Sequence, residues 1–444
     1  MSDFHTVADA VAAAISSGRL TPGARLPPQR TFAYEHGIAA STASRVYAEL
    51  VRRGLVVGEV GRGTFVRAPE TLRAAMTSEA AGAPIDLQIA AALSLEQAAL
   101  MAPALKAFSG PAALYGALGA LGPFGPKGAG EIISGFLRHP RWTPDPTGIL
   151  FAGGGRQAIA AAVTALCKPG DRIGVEPLTY PSIMRTAALR GLQLVPIAVD
   201  NEGIDIAALT KAHRAKPLAA IYIQPSIHNP LGISMTPSRR EALAQALEKL
   251  GLVCIEDGVF AFLSDATPLA ACAPDRVIFV DSMHKRIAPG IGLGLIAAPQ
   301  PLKDRIATAM RAGNWVASAL SMNLGLSWIA DGTAERVGRL RRRDARARQA
   351  LAARILANAS VRADKSAFHL WLELPDHWRA DTFVSAAAQL GVAITPASAF
   401  AVTPGHAPNA VRIAISAPPL KDIEHGLRTI RSLLVSSPYD APTE

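Results

Sequence analysis

Five short stretches between Gly153 and Gly290 hold side chains that do chemistry together. In "VIFVDSMHKRIAPGIGLG", Ser282 and Lys285 follow a strand-like run and precede Pro289-Gly290. A lysine amine attacks carbonyls once burial or nearby charge depresses its pKa. In "LVCIEDGVF", Asp257 ends an apolar run. A carboxylate there can keep a ring nitrogen protonated, or serve as a helix cap or ion-paired acid. "FAGGGRQAI" opens a helix with Gly153, Gly154 and Gly155 beside Arg156. Bare amides at a helix start attract anions, and glycine lets a phosphate come close, although such a run also serves as a plain turn. Tyr180 in "VEPLTYPS" can stack on a flat ring or fill a gap. Asn229 in "IQPSIHNPLG" can donate to a phenolate-type oxygen or simply make an Asn-Pro turn. None of the five is decisive alone; their order and spacing are what distinguish the set.

The elements that must position these groups alternate. The strand-like runs "RIGVE", "LQLVPIAV", "LAAIYIQ", "LVCIED", "RVIFVDS" and "GLGLIAA" are separated by helical ones such as "TPSRREALAQALEKLG", capped at Thr236. Alternating β and α elements predict an α/β domain with a mostly parallel sheet covered on both faces. Ligands bind such sheets beyond the carboxyl ends of the strands, where the stretches of Tyr180, Asn229, Asp257 and Lys285 fall, while the glycine run opens a helix. The expected division is a domain over 85–444, with a large part over about 100–325 and a smaller α+β part over about 326–440.

Composition narrows the class. A chain of 444 residues, half of them apolar, supports two or three compact units. Its net charge of +10 allows an acidic partner such as DNA. Cys167, Cys254 and Cys272 are scattered without metal-ligand or disulfide spacing, which fits a reducing cytoplasm and no metal. The start, "MSDFHTVADAVAAAISS", lacks the basic region of a secretory signal, and charges, Gly or Pro interrupt the Ala-rich runs before membrane-spanning length. A cytoplasmic protein is expected, with no membrane partner.

Residues 1–68 read as a separate, mainly α unit. Val7, Ala8, Val11, Ala12 and Ile15 predict a helix to about Ser17, and a short helix follows from Thr31 to His36. Ser41 or Thr42 is expected to cap a third helix ending at Gly54, before a hairpin of Leu55 to Val60 and Thr64 to Arg67 around "GRG". This order is that of a winged helix-turn-helix. The third helix would present Ser41, Thr42, Ser44 and Arg45 to base edges or phosphates of double-stranded DNA. Arg62 and Gly63 at the wing and Arg30 on the second helix would meet the backbone or minor groove. The alternative is a helical dimerisation module with a solvated basic face. Residues 69–84 read as a tether. The run "AERVGRLRRRDARARQALAARI" reads as a long helix, either linking two subdomains with a solvated basic face or adding phosphate contacts through Arg341 to Arg343.

"LPPQRTFAYEHGIAASTASRVYAELVRRGLVVGEVGRGTFV" resembles the DNA-binding domain of the GntR family of bacterial repressors. The later series resembles fold-type I aminotransferases: a glycine loop, "P-x-Y-P", "N-P-x-G", a strand-end acid, then "S-x-x-K-x-x-x-P-G". Joined in one chain, the two resemble the MocR subgroup of GntR regulators. The resemblance implies pyridoxal phosphate held as an aldimine on Lys285, with Gly154, Gly155, Arg156, Tyr180, Asn229, Asp257 and Ser282 around it. It also implies Arg412, in "PNAVRIAIS", pairing with the carboxylate of a small amino-compound effector; an edge-strand arginine is the alternative. A head-to-tail homodimer acting on a DNA operator in the bacterial cytoplasm and nucleoid completes the implied picture. The sequence departs from the family at named positions. Gly292 stands where an arginine holds the phosphate, and Arg156 where a glutamine is usual, so Arg156 is expected to supply the missing charge. Val259 and Phe124 replace tyrosines, Ile133 an arginine and His284 a small residue, while Ala39 and Ala40 replace polar turn residues. Two other readings stay open: a transaminase with an appended DNA module, and a regulator blind to pyridoxal phosphate.

Overall fold

The structure, a computed structural model, describes residues 4–17, 19–21, 24–59, 63–66, 83–89 and 93–436. Arg62 and most of the expected tether lie outside the described residues.

Helices α1 (Phe4–Ser16), α2 (Gln29–Glu35) and α3 (Ala40–Arg52) precede an antiparallel hairpin of β1 (Val56–Glu59) and β2 (Gly63–Val66). Ala43, Val46, Tyr47 and Leu50 recur at helical spacing on α3 and close the small core with Val7, Ala8 and Val11 of α1 and Phe32 of α2. The expected cap of α3 is corrected. Ala39 holds the cap position with no side-chain bond, so Ser41 and Thr42 fall inside the first turn. At the other end, Glu49 accepts from Arg52 and Arg53, and Arg53 also reaches Asp9 of α1.

The large sheet has seven strands: β3 (Ile149–Ala152), β4 (Arg172–Val175), β5 (Gln193–Pro196), β6 (Ala220–Ile223), β7 (Cys254–Asp257), β8 (Val277–Ser282) and β9 (Gly294–Ala297). Their spatial order is β3-β9-β8-β7-β6-β4-β5. From β8 through β5 all pairs are parallel; β9 runs antiparallel to both β8 and β3. The central strands are buried throughout because helices cover both faces, giving two apolar clusters, one on each side. Helix α4 (Gly155–Leu166) follows β3 directly.

Helix α5 (Thr333–Ile355) leads to the small subdomain. There β10 (Val361–Arg362), β11 (His369–Glu373), β12 (Thr395–Pro396) and β13 (Ala410–Ala414) form an antiparallel sheet in the order β10-β11-β13-β12. Helix α6 (Ala380–Gln389) packs on it, with Trp378 and Phe383 buried in the core. The basic run does not form a fully solvated face. Arg341 and Arg348 are buried. Arg348 bonds Asp344 and the carbonyls of Ile415 and Pro418, and Arg342 donates to the carbonyl of Phe262. Of the triplet Arg341 to Arg343, Arg343 alone is exposed.

Candidate functional site

The five stretches converge at the carboxyl ends of β3, β4, β6, β7 and β8. Asp257, the last residue of β7, is buried. Its Oδ2 accepts from Tyr222 Oη at 2.5 Å and Gln224 Nε2 at 3.0 Å, and its Oδ1 from Val259 N at 3.2 Å. Burial raises its pKa, and these three donors oppose the rise. Oδ1 thus keeps capacity for one more donor.

Lys285 lies in the short helical turn after β8, its Nζ 5.7 Å from the centroid of the Phe260 ring. Its pKa falls to about 7, first from burial, then from Arg412 and Arg341, with Asp257 opposing and Arg156 adding to the fall. A substantial fraction of the amine is therefore neutral and nucleophilic near pH 7. His284 beside it falls to about 4, by burial and by the charge of Lys285, and stays neutral. The turn is anchored from behind: Arg286 pairs with buried Asp281 and stacks on Phe136 and Phe262, while Gln97 donates to the carbonyl of Ile287 at 2.7 Å.

Opposite stands the glycine loop. A Cβ on Gly155 would fall 3.2 Å from Ser282 Cβ and 3.5 Å from Val259 Cγ1, so the absence of a side chain lets the start of α4 pack this closely against Ser282. Gly154 takes φ 155°, and its carbonyl oxygen lies 2.4 Å from where Gly294 would carry a Cβ. Gly292 faces the same loop, its missing Cβ 3.1 Å from the Gly153 carbonyl. Arg156 is exposed in the first turn of α4, and its charge reaches Tyr180, His284 and Lys285. Tyr180 caps the next helix; burial raises its phenol pKa against the pull of Arg156.

Asn229 is buried between the two subdomains. Its Oδ1 accepts from Arg412 Nη1 at 3.4 Å, which leaves the amide Nδ2 as the donor end of the side chain. Arg412, on β13, also donates from Nη2 to Thr395 Oγ1 at 3.0 Å and to the carbonyl of Gln88, and lies 5.1 Å over Phe400. It is buried and its pKa drops to about 10 through desolvation. It is thus an interior side chain between subdomains and not an exposed edge arginine. A cavity of about 280 Å³ lined by Glu176, Trp371, Glu373 and His406 is a separate place that includes none of Lys285, Asp257 or Gly155.

Several neighbours escaped the sequence reading. Tyr222 from β6 and Arg341 from α5 reach the site from elements without a motif, while Gln224 and Phe260 stand inside two of the five stretches without being singled out. Ile133 is fully buried in the core of the large domain, and Phe124 packs at the edge of the other cluster. Among the described residues no His, Cys, Asp and Glu cluster could hold a metal ion, and no helix is long and apolar enough to cross a membrane.

On the winged helix, Ser41, Ser44 and Arg45 are exposed along the amino-terminal half of α3, and Thr42 is half-buried. The Arg45 guanidinium lies 4.0 Å over the Phe4 ring. Arg30 is exposed on α2. Gly63, at φ 119°, opens β2 with Arg25 against it, a Cβ there falling 2.7 Å from Arg25 Nε. Arg25 is a wing cation that no local motif marks.

Two family models match this architecture. Residues 125–430 match aminotransferase class I and II, and residues 5–66 match the gntR family of bacterial regulatory proteins. The chain belongs to the aminotransferase class I and II family and carries a gntR-type helix-turn-helix, the combination of the MocR subgroup. It is 31% identical to the HTH-type transcriptional regulator YdeF of Bacillus subtilis, covering 95% of this chain and 92% of the relative. It is 26% identical to the HTH-type pyridoxine biosynthesis transcriptional regulator PdxR of Corynebacterium glutamicum, over 74% and 73% of the two chains. Among solved structures it resembles Pyrococcus horikoshii kynurenine aminotransferase, crystallised with PMP. There the TM-score is 0.73, with 19% identity, 83% of this chain and 95% of that one. That likeness shows the fold.

Proposed function

We propose that the chain is a ligand-responsive transcription regulator, with residues 1–68 binding an operator and residues 85–444 binding pyridoxal phosphate and then a small amino compound. The convergence of Lys285, Asp257 and the glycine loop at one sheet edge carries this reading. The residues fit the cofactor. Gly155 brings the bare start of α4 up against Ser282, Asp257 Oδ1 can accept one more donor, and the Lys285 amine is poised near neutrality.

When bound, pyridoxal phosphate supplies an aldehyde carbon and an electron-withdrawing ring. Around it, Asp257 would accept from the ring nitrogen, Asn229 Nδ2 would donate to the ring oxygen, and Tyr180 would stack on the ring. Gly154, Gly155 and Ser282 would hold the phosphate. Arg156 would supply the charge that Gly292 cannot. Lys285 Nζ gives up its proton to solvent near pH 7 and becomes the nucleophile. The fork of Arg412 suits the effector's carboxylate. Val259 meets Asp257 through its backbone N–H and brings no hydroxyl to the ring oxygen, which argues against efficient transaminase turnover.

On the DNA side, Arg30, Ser41, Ser44 and Arg45 are supported as contacts by exposure and position, and the partly buried Thr42 and Gly63 by position. Arg62 belongs to it by sequence. A cytoplasmic, nucleoid-associated, head-to-tail homodimer is the form in which it would act. The exposed Leu95, Tyr115 and Leu118 on the helices before the large sheet support association.

The test is an absorbance titration of the full chain with pyridoxal phosphate, for wild type and Lys285→Ala. A long-wavelength band present in the first and absent in the second is expected. No lysine-dependent band would establish the regulator as blind to the cofactor. Keto-acid release from amino donors would instead show an enzyme.

A further inference from the structure

One end of the recognition helix rests on the small subdomain. Arg379, at the amino-terminal boundary of α6, donates from Nη2 to the carbonyl of Val51 in the last turn of α3. Asp376, three residues earlier, adds to the charge that stabilises the Arg52 guanidinium, after Glu49. Leu55, just past the helix, fills the space where Gly405 has no side chain; a Cβ there would fall 2.8 Å from Leu55 Cδ1. A guanidinium at a helix carboxyl end also complements the helix dipole. Two loops of the small subdomain thus grip the carboxyl end of α3, and Ser41, Ser44 and Arg45 at the other end stay exposed. Docking leaves the DNA-reading end open.

Both loops are tied to the strand that carries Arg412. Asn409 immediately precedes β13. Its Oδ1 accepts from Ala380 N at 2.9 Å and its Nδ2 donates to the Trp378 carbonyl at 2.8 Å, which brackets Arg379 on both sides. The Asn409 carbonyl accepts from Leu374 N at 2.9 Å, and the Trp378 indole donates to the Leu433 carbonyl at 2.8 Å. The turn that presents Arg379 is therefore fixed to β13 and to the subdomain core. Three residues into β13 from Asn409, Arg412 bonds Asn229 of the large domain.

We propose that Asn409 and Arg379 transmit occupancy of the site around Asn229 and Arg412 to the carboxyl end of the recognition helix. The proposal rests on reading that site as the cofactor and effector pocket. A ligand that takes Arg412 from Asn229, Gln88 or Thr395 shifts β13. Asn409 passes the shift to the turn over 378–380, and Arg379 passes it to α3. Such coupling requires that the ligand favour one arrangement of this link over the other.

Four full-length proteins test it: wild type, Arg379→Ala, Arg379→Lys and Asn409→Ala. The ligand probes are pyridoxal phosphate alone and with each common L-amino acid in turn; the DNA probe is a duplex selected by wild type from a random-sequence pool. Hydrogen exchange of residues 50–55, without any ligand, is expected to quicken roughly tenfold in Arg379→Ala and to return toward wild type in Arg379→Lys. Unchanged exchange would remove the docking contact and the proposal with it. Ligand is expected to change wild-type DNA affinity by roughly fivefold or more. In Arg379→Ala and Asn409→Ala that change should shrink below about twofold, with pyridoxal phosphate affinity unaltered. If the change persists in both variants, the link is wrong while the pocket stands. If wild type shows a lysine-dependent band but no probe alters DNA affinity, the link is again wrong and the pocket again stands. If no band forms, the pocket reading fails first, and the exchange result still reports on the docking contact alone.

Discussion

Lys285 shows how one side chain is set by its surroundings. Its folded pKa of about 7 lies below the usual lysine value of 10.5, so burial disfavours the charged amine. The cost to folding is complete below about 7 and fades as pH rises toward 10.5. Lys285→Met should therefore stabilise the ligand-free protein at neutral pH, read as a raised Tm. In wild type, the rate of reaction with pyridoxal phosphate should rise through about pH 7 and then level off. An inflection near 10 would mean that the amine is not desolvated. Arg156 is the second residue-scale test. Losing one charge-assisted contact to a phosphate costs about 1.5–3 kcal/mol, so Arg156→Ala should weaken pyridoxal phosphate binding by roughly tenfold to a hundredfold, read by absorbance titration. Unchanged affinity would show that the glycine loop and Ser282 suffice.

At the scale of elements, α3 and α5 make contrasting predictions. Glu49 is buried on α3, and the hydrogen bond from Arg52, joined by one from Arg53, pulls its pKa from 4.5 to about 2 against the cost of burial. That stabilisation is present above 4.5 and is lost as pH falls through about 2. Glu49→Gln should cost the winged helix about 1–3 kcal/mol at pH 7, seen as earlier unfolding of its hydrogen-exchange unit. On α5, Arg341→Glu should destabilise the fold because the site is buried, whereas Arg343→Glu should leave both stability and the salt dependence of DNA binding unchanged. The sequence announced much of this layer. All six strand-like runs became strands, and Thr236 caps its helix as expected, its Oγ1 accepting from Arg239 N at 3.2 Å. The strand "ILFA" is not legible in the sequence because four apolar residues before a glycine run have no period to read. The cap of α3 was misplaced because chain direction at Ala39 is set by the packing of α2 on α3, not by a local oxygen. The pocket was legible where residues sit at strand ends. Tyr222, Gln224 and Arg341 were not, since their relevance comes from neighbours far along the chain.

The whole molecule carries a net charge of +10; Arg30 and Arg45 are exposed on the helix-turn-helix, whereas Arg341 and Arg348 are buried. Phosphate contacts make DNA affinity fall with salt in proportion to their number. Arg45→Ala and Arg30→Ala should each lower the slope of log K against log salt by about 1, with little change in PLP affinity. A slope unaltered by both would place the interface elsewhere.

The glycines at 292 and 294 stand against the carbonyls of Gly153 and Gly154, with no room left between the strand and the loop. An arginine placed at 292 would put its first side-chain carbon 3.1 Å from the Gly153 oxygen. The loop would have to yield before any new charge reached the phosphate. Gly292→Arg is therefore expected to displace the glycine loop at the Gly153 carbonyl. Its pyridoxal phosphate affinity, read by absorbance titration, sets the added charge against the cost of moving that loop.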